Sequence, residues 1–283
     1  MNASFNRYNI KRNAMPLTED QIRQYAPSIF AAEAHESRSA RYTYIPTIDV
    51  VRGLVKEGFH PVSVRQSNTR DVTRQDFTKH MIRFRRDGEQ YAAVGDTLPE
   101  VVLVNSHDGT SSYQLDAGLF RLVCLNGMVV NSGSIAKVKV PHKGDVLGQV
   151  IEGAFEVIDA SVKALEAPRE WSQLQLARPE SEAFAEAAHT LRFADTEGNI
   201  ETPIKPVQML ERRRIADRSN DLWTTFNTIQ ENTIRGGLHA WGRDANNRPR
   251  RVTTRAVNGI DQDVKLNKAL WILAERMAQL KAA

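Results

Sequence analysis

The feature that most constrains this chain is a change of hydrophobic period near Asp145. Before it, apolar and polar residues alternate in short runs bounded by glycine, and after it apolar residues recur every three to four positions. Alternation with period two places neighbouring side chains on opposite faces of a strand, whereas the longer period makes one stripe on a helix. Pro61 to Gln66, Lys79 to Arg86, Val101 to Val104, Tyr113 to Leu119 and Phe120 to Val130 therefore predict strands, with Gly109, Gly118 and Gly127 between or within them. Ahead of them, Thr47 is placed to cap a helix through Lys56 whose Val50, Val51, Leu54 and Val55 share a face, and Gly58 supplies the stop. After the change, Val146, Val150, Phe155, Ile158, Val162 and Leu165 predict a long amphipathic helix closed by Pro168. Trp171 to Phe193 continues in that style, and two further helices, Asp217 to Arg235 and Asp261 to Ala282, flank a loop from Gly236 to Thr254. Leu222, Phe226 and Ile229 on the first of these, and Leu266, Leu270 and Leu273 on the second, predict that the two pack together.

The expected fold class is thus α+β, with an antiparallel β-sheet and packed helix in the N-terminal half and a helical C-terminal half. Residues 1–40 read as a basic arm (1–15) followed by a short helix that starts in a capping box at Thr18 and Gln21. Residues 41–144 read as the sheet core, and 145–283 as a helical region with a basic loop, packed on that core. A chain of 283 residues, 41% of them hydrophobic, can bury such a core. No run approaches the roughly 20 apolar residues that cross a bilayer, and Met1 to Pro16 lacks the apolar segment of a secretory signal, so no membrane partner and a cytoplasmic location are expected. Cys124 is the lone cysteine and sits in an apolar run, which predicts a buried structural thiol.

A net charge of +4 decides little about partners; its distribution decides more. One basic segment holds Arg65, Arg70, Arg74, Lys79, Arg83, Arg85 and Arg86. On a strand, Lys79, Met81, Arg83 and Arg85 share one face and His80, Ile82 and Phe84 the other, which predicts a row of cations on a solvent face, suited to tracking phosphates. A second is Arg212, Arg213 and Arg214 with Arg218. A third gathers Arg243, Arg248, Arg250 and Arg251 around Trp241, where guanidiniums offer paired donors to phosphate and an indole offers a stacking surface to an unpaired base.

Catalytic signals are sparse. Asn105 to Ser112 is the densest cluster of reactive side chains, and His107 with Asp108 invites a metal or acid–base reading, with Glu100 and Asp116 as further carboxylates. Asp108-Gly109 equally supplies a hairpin turn whose hydroxyls satisfy backbone groups, and that reading is preferred. His35, His60, His80 and His142 are scattered along the chain, and the glycines match neither the dinucleotide nor the P-loop pattern. No cofactor, no metal and no catalytic residue is expected.

Lys79-His-Met-Ile-Arg-Phe-Arg85, Val104-Asn-Ser-His-Asp-Gly109, Gly118-Leu-Phe-Arg-Leu-Val-Cys-Leu-Asn-Gly127, Asp221-Leu-Trp-Thr-Thr-Phe-Asn-Thr-Ile-Gln-Glu-Asn232, Arg235-Gly-Gly237 and Leu266-Asn-Lys-Ala-Leu-Trp271 resemble the phage- and plasmid-borne family of domains of unknown function numbered nine-three-two. The helix followed by a hairpin sheet resembles, more distantly, the single-strand annealing proteins of the Rad fifty-two type. That likeness implies an oligomeric ring or filament that holds single-stranded DNA by its backbone and needs no nucleotide. The expected function is ATP-independent single-stranded DNA binding and annealing in the homologous recombination of a phage or mobile element. The alternatives are a metal-dependent nuclease centred on His107 and Asp108, and a regulatory or anti-defence protein whose basic face binds another protein.

Overall fold

The period-two segments of the first half form antiparallel strands and the second half is mainly helical, so the fold is α+β. The structure, a computed structural model, describes residues 11–12, 15–36, 44–88, 93, 96–122, 126–130 and 137–282. Cys124 and residues 1–10 of the expected arm lie outside the described residues. The chain divides into two compact units, Met1–Arg121 with Gly127–Leu165, and Leu122–Asn126 with Glu166–Ala283.

The first unit contains β1 (Lys11–Arg12), α1 (Glu19–Tyr25), α2 (Thr47–Lys56), β2 (Phe59–Gln66), β3 (His80–Arg86), β4 (Thr97–Asn105), β5 (Tyr113–Arg121), β6 (Asn126–Val129), β7 (Val138–Val140) and α3 (Val146–Lys163). The sheet order is β1-β2-β3-β4-β5-β6, and β7 also pairs with β5. The short β1 lies against Ser63 and Val64 of β2, so Lys11 and Arg12 of the expected mobile arm are part of the sheet edge. The α1 start is as expected: Gln21 donates its backbone N–H to Thr18 Oγ1 at 3.3 Å, and Thr18 donates its own to Gln21 Oε1 at 3.2 Å. Pro27 then turns the chain into a 3-10 segment instead of prolonging the helix.

The register fixes the two faces of the sheet. Arg83 lies opposite Val102, Val102 opposite Asp116, and Glu100 opposite Gly118, so these residues share one face. Ile82, Phe84, Val101, Leu103, Leu115 and Leu119 make the other, and all are buried. Helix α3 covers this apolar face, with Gly153 where the helix comes nearest. A Cβ there would stand 2.7 Å from Val138 Cγ1 and 3.0 Å from Leu115 Cδ1. Helix α2 lies on α3, where a Cβ at Gly53 would stand 2.8 Å from Leu147 Cδ1. Because α3 belongs with the strands, the sheet unit extends to Leu165 and does not stop at residue 144.

The second unit contains α4 (Glu166–Trp171), α5 (Arg178–Phe193), α6 (Leu222–Arg235), β8 (His239–Arg243), β9 (Pro249–Thr253) and α7 (Ile260–Ala282). Pro168, expected to close the preceding helix, instead sits in the first turn of α4, where its missing N–H removes no bond. Helix α6 is buried from Leu222 through Ile234, polar residues included. Trp171, Trp223, Phe226 and Trp271 gather at its side, with ring centroids of Trp171 and Trp271 4.7 Å apart. Gln230 donates to Asn267 Oδ1 at 2.8 Å, so α6 and α7 pack as their stripes predict. The expected loop from Gly236 to Thr254 is instead a two-stranded antiparallel ribbon, β8–β9.

The Gly153→Val variant is expected to lose about 1–3 kcal/mol of stability through overpacking. A urea midpoint unchanged from the parent would refute the close approach of α3 to the sheet.

Candidate nucleic-acid interface

The ribbon carries the exposed cations. Its turn is closed by Asp244, whose Oδ1 accepts from the N–H of Asn246 and of Arg248, each at 2.9 Å, with Asn247 in the left-handed region at φ 61°. Asn tolerates that conformation better than most residues. His239, Trp241 and Arg243 pair directly with Thr253, Arg251 and Pro249, so these six share a face, and every one is exposed. Trp241 is 73% exposed and stands directly across from Arg251. Arg250, across from Gly242, points to the opposite face, so cations flank both sides. The ribbon is anchored at its root: Leu238 and Val257 are buried, Thr254 N–H donates to the Leu238 carbonyl and Leu238 N–H donates to Thr254 Oγ1, each at 2.9 Å.

The first basic segment behaves differently, and the expected solvent-facing row is corrected. Arg83 and Arg65 are buried and Arg85 largely so. Arg83 Nη1 donates to Glu100 Oε2 at 2.8 Å and Arg85 Nε to Glu100 Oε1 at 2.9 Å, so a carboxylate without exposure holds two guanidiniums. Arg83 also donates to the Met128 carbonyl at 3.2 Å. In a flat sheet β3 and β6 would be about 14 Å apart, beyond an arginine's reach, so the sheet curls over this face. Gly118 and Gly127 make the room, since a Cβ at Gly127 would stand 2.6 Å from Arg83 Cζ and one at Gly118 3.2 Å from Arg83 Nη1. Arg86 is half-buried, with its guanidinium over the rings of Phe59 and Phe155 at 5.2 and 4.2 Å. Arg74 is half-buried beside Asp71 at 3.4 Å, Lys79 is half-buried, and Arg70 is exposed.

The Arg212–Arg214 segment is likewise structural. Arg214 grips Glu231 of α6 at 2.6 and 2.7 Å and Asp217 at 2.9 Å, Arg213 donates to Asn232 Oδ1 and the Gly236 carbonyl, and Arg212 donates to Asn220. Burial pushes the Glu231 carboxyl up, but the Arg214 and Arg235 guanidiniums outweigh it and hold it below the usual range.

The residues of the nuclease alternative are engaged elsewhere. Asp108 Oδ1 accepts from Thr110 N–H at 2.9 Å and from Thr110 Oγ1 at 2.7 Å, and Gly109 takes φ 79°, which is the expected turn. Glu100 holds the two arginines. Among the described residues no group of three or more His, Cys, Asp or Glu is arranged to hold a metal ion.

His107 is instead part of a buried cluster that the sequence scatters. Thr47, expected to cap α2, is its first helical residue, with Pro46 at the cap position. Its hydroxyl turns inward and meets His80 Nε2 at 3.0 Å, His107 Nε2 at 2.9 Å, Asn105 Nδ2 at 3.1 Å and the Tyr113 hydroxyl at 3.2 Å. A hydroxyl has one proton and two acceptor pairs, so the two imidazoles take opposite roles. The Thr78 carbonyl, 3.3 Å from His80 Nδ1, calls for the proton there. Thr47 then donates to His80 and accepts from His107 and Asn105, while Tyr113 donates to the Ile45 carbonyl at 3.2 Å. His107 Nδ1 is left buried without a hydrogen-bond partner. His142 joins through Nε2, 3.1 Å from Asn105 Oδ1. Burial pushes the His107 imidazole down to about 4, with His142 adding to the shift and Asp108 opposing it, and burial also lowers His80 and His142.

An α+β protein with an exposed basic ribbon and a sheet closed around buried charge is the class these features define. The family model described as "Domain of unknown function (DUF932)" matches residues 34–271, and the chain belongs to that family. It is 48% identical over 273 residues to the UPF0380 protein YfjQ and 49% identical over 273 residues to the UPF0380 protein YafZ, both of Escherichia coli K12, covering 96% of this chain and of each relative. No solved structure matches the chain. No helix among the described residues is long and apolar enough to cross a membrane.

Replacing Arg83 by Met leaves Glu100 buried with half its compensation and is expected to cost about 3–5 kcal/mol in chemical denaturation. The histidines set a pH dependence. Their folded pKa values are depressed, so the unfolded chain binds protons first, and stability present above about pH 6.5 falls as the pH drops toward about 4. Each buried imidazole contributes up to about 1.4 kcal/mol per pH unit in that window. The His107→Gln variant, which keeps a donor for Thr47, should flatten the slope between pH 6.5 and 5; an unaltered slope would exclude His107 as a contributor.

Proposed function

We propose that this protein binds single-stranded DNA without chemistry and brings complementary strands together during recombination of a phage or other mobile element. The observation that carries the reading is the exposed Trp241 set directly across from Arg251 on a ribbon that also bears Arg243, Arg248 and Arg250. An indole in water is costly unless a partner covers it, and a cation beside it gives that partner a phosphate. Base pairing between two single strands supplies the sequence choice, so the protein needs only to hold backbones and leave base edges accessible. The annealing step and the assembly of several copies rest on the more distant resemblance, and the ribbon supports the binding step.

Affinity for a labelled oligonucleotide should fall steeply with salt, with a log–log slope of about −0.7 per phosphate neutralised. Arg250→Glu combined with Arg251→Glu should flatten that slope, and Trp241→Ala should weaken binding by about 1–3 kcal/mol. Complementary labelled strands should anneal faster with the protein and without any nucleotide. Affinity indifferent to salt, or annealing no faster than in buffer, would overturn the reading.

A further inference from the structure

A cleft of about 690 Å³ lies on the side of the ribbon away from Trp241. Phe193, the Ile200–Pro203 segment, Gly242, Arg243 and Val252 line it. Its floor depends on Gly242, where a Cβ would stand 3.3 Å from Pro203 Cγ and 3.4 Å from Val252 Cγ2. The walls at Phe193, Ile200 and Val252 are apolar and incompletely buried, with Ile200 39% exposed. Arg250, directly across the ribbon from Gly242, projects on the cleft side, and Arg243 lines the cleft with its guanidinium donating to the Asn247 carbonyl of the turn at 2.8 Å.

One residue is out of keeping with a phosphate track: Glu201, an exposed carboxylate on the cleft wall. A carboxylate repels phosphate but accepts hydrogen bonds from an amino group, and cytosine and adenine present such a group where thymine presents only an oxygen. Apolar walls with one aromatic ring suit the faces of a base, a lone acceptor suits its edge, and the Arg250 guanidinium on the same side of the ribbon suits an adjoining phosphate.

We propose that this cleft receives one unpaired base of the bound strand and selects, through Glu201, a base bearing an exocyclic amino group. The proposal rests on the reading that the ribbon binds single strands. It divides the ribbon's labour: Trp241 and Arg251 hold any nucleotide from the outer face, while the inner cleft favours an amino-bearing base over thymine at one position. Gly242 is then a specificity determinant, because a side chain there occupies the space of the base.

The test uses the full chain at pH 7.5 and three labelled strands of equal length, hence equal phosphate number: oligo-dC, oligo-dT and an oligomer of abasic sugars. Fluorescence anisotropy should show oligo-dC bound about tenfold more tightly than oligo-dT, the discrimination one well-placed pair gives. Glu201→Ala, a change at an exposed position, should bring that ratio to within about twofold. Gly242→Val should bring dC and dT together and draw both toward the abasic oligomer. Equal binding of dC and dT by the parent chain, or a preference that survives both variants, would overturn the cleft while leaving backbone binding intact. A base preference lost in Trp241→Ala but kept in Gly242→Val would also overturn it, since the contact would then lie on the outer face. Failure to bind any of the three strands would instead overturn the proposed function itself.

Discussion

Glu100 is a carboxylate with no water, and the first unit is arranged around supplying it with cations. Two guanidiniums reach it from β3, and the strand that brings Arg83 also brings it under β6, where the Met128 carbonyl accepts from Nη1 and Nη2. Desolvating such a group costs several kcal/mol, and ion pairing in the interior recovers this only when geometry is good. The return is register. A slip of β3 by one residue would turn Arg83 into the apolar face beneath α3 and strand Glu100 uncompensated. Gly118 and Gly127 belong to the same constraint, since any side chain at either position would meet the Arg83 guanidinium.

The second unit solves a similar problem on a helix. Glu231 and Asn232 are buried on α6, and Arg214, Arg213 and Arg235 neutralise or cap them near its C-terminal end. Arginine therefore has two uses in this chain. Arg65 and Arg83 are buried and Arg85 largely so in the sheet unit, and Arg213 and Arg214 brace α6, whereas Arg243, Arg248, Arg250 and Arg251 are exposed on the ribbon.

Local signals in the sequence are sufficient for β2 to β5, the capping box at Thr18, the stop at Gly58 and the turn at Asp108, because each depends on residues within a few positions of one another, whereas the strand expected from Phe120 to Val130 is divided, with Phe120 and Arg121 ending β5 and β6 separate at Asn126–Val129. The burial of Arg83 was not legible, because the carboxylate that decides it lies on the neighbouring strand and alternation alone cannot say that both faces of a sheet are covered. Thr47 illustrates the same limit: a threonine at a helix start reads as a cap, yet its hydroxyl serves His80 and His107, residues distant in sequence. The histidine cluster was invisible for that reason. The ribbon's local signal is its turn, Asp244-Ala-Asn-Asn247, while His239-Ala-Trp-Gly-Arg243 and Pro249-Arg-Arg-Val-Thr253 on either side lack the alternation that marks a strand.

Because the ribbon is held at Leu238, Thr254 and Val257 and one of its faces is wholly exposed, that face can vary apart from the core. Substitutions between His239 and Thr253 leave Ile234, Val257 and Leu266 in place beneath them. Descendants of this chain can thus vary the exposed residues of the ribbon at little risk to the fold, whereas the arginines around Glu100 are locked to one another and cannot drift singly.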